Sequence, residues 1–126
     1  MTDLQALADG VRAYALSLPE AVEEFPWGDR VAKVRKKIFV FLGRPDQPDQ
    51  DFQIAVKLPE SADAVLSLPF VTPTGYGLGK AGWVTVELRA QDAPPLEMLE
   101  QWVDESWRAI APKKLVKERA QNRTQP

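Results

Sequence analysis

Proline stands at eleven positions in this chain, and its placement limits the possible fold more than any other feature. Proline ends helices and is confined to the edges or ends of strands. Pro19, Pro59, Pro69, Pro94, Pro95 and Pro112 cut the sequence into short pieces, and "RPDQPDQ" (44–50) is a polar, proline-broken loop. Residues 3–18 carry Leu4, Leu7, Ala8, Val11, Ala15 and Leu18 at helical spacing, with Thr2 or Asp3 as cap and Pro19 as stop. Gly10 weakens that helix by about 1 kcal/mol relative to alanine. Residues 22–25 read as a short strand before the turn "FPWGD". "VAKV" and "KIFVFLG" read as two strands joined at Arg35 and Lys36. The unbroken apolar run Ile38 to Leu42 suits a central strand covered on both faces.

"DFQIAVKL" alternates strictly, with Phe52, Ile54, Val56 and Leu58 on one face. Residues 60–68 form a short helix between Pro59 and Pro69, and "WVTVEL" is the last strand, with Val84, Val86 and Leu88 inward. Pro94 and Pro95 open a helix of about four turns. Its apolar stripe is Leu96, Leu99, Val103, Trp107 and Ile110, with Glu97, Glu100, Asp104 and Arg108 on the wet side. "KKLVKERA" gives a last short helix, and the tail frays from about residue 120. Short sequential strands between terminal helices predict an α+β fold, an antiparallel sheet with N-terminal and C-terminal helices packed on it. At 126 residues the chain is expected to be one domain, 1–126.

The sequence contains neither cysteine nor histidine, which removes disulfides, thiolate nucleophiles, imidazole bases and the commonest transition-metal ligands. With no catalytic motif among the remaining carboxylates, lysines and tyrosines, the expectation is a protein that is not an enzyme and uses no cofactor or metal. "MTDLQALADG" lacks the pattern of a secretory signal, and no apolar run reaches a membrane span. A cytoplasmic protein with no membrane partner is expected.

Net charge is −2, yet the charges are segregated. Residues 29–44 carry six cations against one carboxylate, and residues 113–126 carry five against one, within an otherwise acidic chain. Lys33, Arg35, Lys36 and Lys37 crowd one hairpin tip that lacks the Asn-Gly pair a two-residue turn prefers. Such a tip suits backbone phosphates, or serves as a solvated edge that blocks sheet-to-sheet pairing. Lys113 and Lys114 open the last helix, where its dipole is already positive; an anion there would offset that cost. Otherwise their stems lie over Trp107 or Trp102.

"GYGLGKAGWV" (75–84) contains a complete GxGxxG. A dinucleotide fingerprint requires a strand before the glycines and a helix after them. Here a β-type run follows Gly82, so the match is read as a glycine-rich hairpin. The same stretch has Tyr76, Lys80 and Trp83 in a Y-x-x-x-K-x-x-W spacing, and resembles the signature of the MmcQ/YjbR family, in which other residues usually occupy the positions of these glycines. "FPWGDRVAKVRKKIFVFLG" (25–43), "KLPE" and "WVDESWRAIAPKKL" (102–115), with Asp104, Ser106, Trp107 and Lys114-Leu115, are similar to further stretches of that family.

The resemblance implies a fold like that of bacterial frataxin and a DNA-binding role in which strand-turn wings approach the duplex. Frataxin-type iron binding does not carry over, because residues 3–18 hold only Asp3 and Asp9 as acids. Residues expected to contact nucleic acid are Lys33, Arg35, Lys36, Lys37, Tyr76, Lys80, Trp83, Lys113, Lys114 and Lys117. The partner would be double-stranded DNA, bound with little sequence preference. Trp83 lies opposite the Val84 face and is either covered or free to stack on a base. The alternatives are a protein-interaction or regulatory module that binds no nucleic acid, suggested by the pI of about 5.2, and a small-anion or nucleotide site at the Gly75–Gly82 turn.

Overall fold

The computed structural model describes residues 4–26, 29–43, 52–75, 81–89, 92 and 94–124. Helix α1 (Leu4–Ser17) buries Leu7, Val11 and Ala15 on the stripe its spacing predicts. Strands β1 (Val22–Glu24), β2 (Arg30–Val34), β3 (Lys37–Gly43) and β4 (Phe52–Lys57) follow. A one-turn helix α2 (Ala62–Val65) leads to β5 (Val71–Pro73) and β6 (Trp83–Leu88). Helices α3 (Leu96–Ile110) and α4 (Lys113–Thr124) close the chain.

The six strands form one antiparallel sheet in the order β1-β2-β3-β4-β6-β5. The result is the α+β arrangement expected, an antiparallel sheet with helices at both termini. Helices α1 and α3 pack on each other and on β3 and β4. Their apolar stripes meet Val40, Ile54, Val56, Val84 and Val86 in one core. At Gly10 a Cβ would lie 2.9 Å from a methyl carbon of Leu96, so a side chain there would require Leu96 to shift.

Three elements differ from the sequence reading. Strand β5 passes unpredicted, because three residues ending in proline carry no period. Pro73 is tolerated there because β5 is an edge strand. Helix α4 continues to Thr124 instead of fraying from residue 120. The apolar run of β3 does not reflect covering on both faces: Ala32 pairs with Val40 and Lys33 with Ile38, leaving Phe39 as a bulge residue. The bulge sends Phe39 and Val40 together into the core, while Ile38, Phe41 and Leu42 remain half-buried.

Candidate functional site

The β2–β3 hairpin is a two-residue turn despite its sequence. Val34 pairs with Lys37, and Arg35 and Lys36 both take positive φ, 51° and 71°. This is the type I′ pattern that Asn-Gly supplies without strain. Arg35, Lys36 and Lys37 are exposed at its tip. Of Lys33, Arg35, Lys36 and Lys37, two are committed to carboxylates. Lys33 reaches Glu24 on β1 at 3.3 Å. Arg35 is bound by Glu20 through both carboxylate oxygens, Nε to Oε1 at 2.5 Å and Nη2 to Oε2 at 2.9 Å. These hydrogen bonds hold the Glu20 carboxyl below the usual carboxylate range.

One residue of the second basic segment acts on the first. Glu118 of α4 is close enough to Arg35 for its charge to strengthen that guanidinium's hold on its proton, after the larger effect of Glu20. Lys114 stands one helical turn before Glu118 and shares its face, and Lys117 adjoins it. Lys113, Lys114 and Lys117 are exposed. Lys36, Lys37, Lys113, Lys114 and Lys117 form no ion pair among the described residues. Arg35 at the hairpin tip thus feels two carboxylates, Glu20 strongly and Glu118 weakly.

The cation over the Trp107 ring is Arg119, whose guanidinium lies 5.1 Å from the ring centroid. Trp83 is only 8% exposed and meets the ring of Phe41 edge-on at 5.6 Å. A ring covered in this way has no open face for a base, so Trp83 belongs to the packing. Tyr76, Lys80 and Trp27 lie outside the described residues. Gly82 takes φ 92°, and its carbonyl accepts the Leu58 N–H at 2.8 Å. It leads directly into β6, so no helix N-terminus follows the glycines.

Sequence reasoning missed what holds this surface together. Asp104, Glu105, Ser106 and Trp107 are consecutive on α3 and all buried, and each binds a different part of the fold. Asp104 accepts Tyr14 Oη from α1 at 3.0 Å, Arg108 Nε at 2.9 Å and Arg119 Nη2 from α4 at 2.5 Å. Burial pushes its carboxyl up, but the hydrogen bonds from Arg119, Arg108 and Tyr14 outweigh it and leave it below the usual range. Burial, then the bond to Asp104, pushes the Tyr14 hydroxyl up. Asp104 also pairs with Arg108 one turn on, but it is a carboxylate 9% exposed and not on the wet side where the sequence put it. The reason is tertiary: α1 and α4 both cover it.

Glu105 receives the backbone N–H groups of Glu60 and Ser61 at 3.0 and 3.1 Å, and the Ser61 hydroxyl at 2.6 Å. It thereby fixes the "KLPES" loop. The Ser106 hydroxyl donates to the Phe39 carbonyl and accepts from Lys57 N–H at 2.8 Å. The β3–β4 register, Val40 with Val56, would set Phe39 opposite Lys57. The hydroxyl thus bridges two backbone groups that a regular ladder would pair directly. Trp107 Nε1 donates to the Pro19 carbonyl at 3.1 Å. The sequence signals for this hub are a polar triplet interrupting an apolar stripe and the family-like Asp104, Ser106 and Trp107, neither of which says that the polar groups are buried.

A cleft of about 440 Å³ opens beside the hub, lined by Tyr14, Trp102, Glu97, Glu100, Glu105 and Arg108 among others. It is acidic, opposite in sign to the hairpin tip. No group of three or more acidic side chains is arranged to hold a metal among the described residues. No helix among the described residues is long and apolar enough to cross a membrane.

A single antiparallel sheet, terminal helices and a polar hub on α3 define a small α+β protein with exposed cations at one hairpin and at the start of its last helix. The YjbR family model matches residues 16–109, and the chain belongs to that family. No curated protein matches it. The matched span includes the hairpin and the hub but ends before α4.

Proposed function

We propose that this protein is a non-enzymatic, cytoplasmic binder of double-stranded DNA that holds the phosphate backbone with little base reading. The observation that carries this reading is the exposure of Lys36, Lys37, Lys113, Lys114 and Lys117, none of which is engaged in an ion pair among the described residues. Flexible exposed lysines suit backbone phosphates, which need charge and not a fixed hydrogen-bond geometry. With Trp83 buried, base stacking has no part in the reading.

The test is a fluorescence anisotropy titration of a random-sequence duplex at several salt concentrations. Four or five lysines on phosphates give a slope of about −4 in log K against log salt. No binding at low salt, or binding indifferent to salt, rules the reading out.

The acidic cleft favours a second reading, a protein-interaction module with a basic partner. A stoichiometric partner retained after DNase treatment, and lost in an E97Q/E100Q variant, would select it.

A further inference from the structure

We propose that Glu20 restrains the polyanion-binding surface by occupying Arg35 as a bound phosphate would. The inference rests on the DNA-binding reading. A carboxylate engaging both Nε and Nη2 presents a guanidinium with the two-oxygen geometry that a phosphate presents. Arg35 therefore projects from the hairpin tip with its charge already answered from within the chain.

The backbone on both sides is set for this contact. Glu20, Arg35 and Lys36 are the non-glycine residues with positive φ among the described residues, and two of them are the partners of this ion pair. Side-chain-bearing residues adopt that region at a cost, and persist there when the surroundings hold them. Glu20 lies just after Pro19, whose carbonyl is held by Trp107 Nε1. The hub on α3 thus anchors the segment that delivers the carboxylate. Both side chains remain about half exposed, 45% for Glu20 and 57% for Arg35, so a competing anion has access. Exposed ion pairs of this kind exchange readily.

The experiment compares the full chain with E20Q, E20G, R35Q and E20Q/R35Q, using one 20-base-pair duplex titrated across salt. E20G guards against misfolding, since glycine takes positive φ without strain. E20Q and E20G are expected to bind several-fold tighter, with a salt slope steeper by about 0.9 for the one added phosphate contact. R35Q alone should change affinity by less than about twofold, and E20Q/R35Q should show none of the gain.

A gain that persists without Arg35 would reduce Glu20 to general repulsion and overturn the inference. A salt-sensitive wild-type protein with E20Q and E20G unchanged would also overturn it, leaving the DNA-binding reading in place. No binding by the wild-type protein at low salt would remove both.

Discussion

Removing the Ser106 hydroxyl would leave the Lys57 N–H and the Phe39 carbonyl without the partner each has in the core. Unsatisfied buried groups cost about 1–3 kcal/mol each. S106A is expected to lose about 2 kcal/mol in a denaturant melt, more than a typical surface substitution. Asp104 makes a pH-dependent contribution. Its folded carboxyl lies below the usual range, so the stability it provides is fully present above the unfolded value near 3.8. That stability is lost as pH falls through the lower folded value. Urea melts from pH 5 downward should show a decline that D104N lacks over this interval. If D104N declines as steeply as the wild type, other carboxylates dominate. At the hairpin, Lys36 carries a side chain at φ 71°. K36G should raise stability by about 1 kcal/mol, read as a Tm higher by roughly 4 °C. A lower Tm would mean that the lysine stem contributes packing that outweighs the strain.

Among the elements, α4 depends most on its anchorage. Its sequence is mostly polar, and Leu115 is its one buried residue among those described. A helix of this length is marginal alone in water. Arg119 supplies the tether, stacked over Trp107 and bonded to Asp104, with its side chain 13% exposed. R119A removes both contacts and leaves a buried carboxylate less compensated. Amide exchange across 113–124 should accelerate well beyond any change in β3 or β4. Uniform acceleration throughout the sheet would show instead that Arg119 supports the core and not the helix. Because α4 carries Lys113, Lys114 and Lys117, the same variant separates docking of the helix from its charge.

For the whole molecule, net charge of −2 conceals segregated charge. Local cations govern encounter with a polyanion more than the total does, because screening confines each charge to about 10 Å at 0.1 M salt. Replacing Lys36, Lys37 and Lys114 with glutamine should weaken duplex binding equally for unrelated sequences. Each lost phosphate contact should flatten the salt slope by about 0.9. Unequal losses among sequences would point to base recognition.

The periodicity of residues 3–18 and 96–110, the strict alternation of 52–58 and the prolines between them determined the α+β class. These are local signals, and each states which face of an element is apolar. Tertiary structure alone decided the β3 bulge, the edge strand β5 and the burial of Asp104, Glu105 and Ser106. Whether a polar side chain is buried depends on what packs over it, and Tyr14, Phe39, Lys57 and Arg119 come from distant parts of the chain. The pairing of Arg35 with Glu20 was hidden for the same reason: two charges fifteen residues apart meet only because Pro19 and the hairpin are folded toward each other.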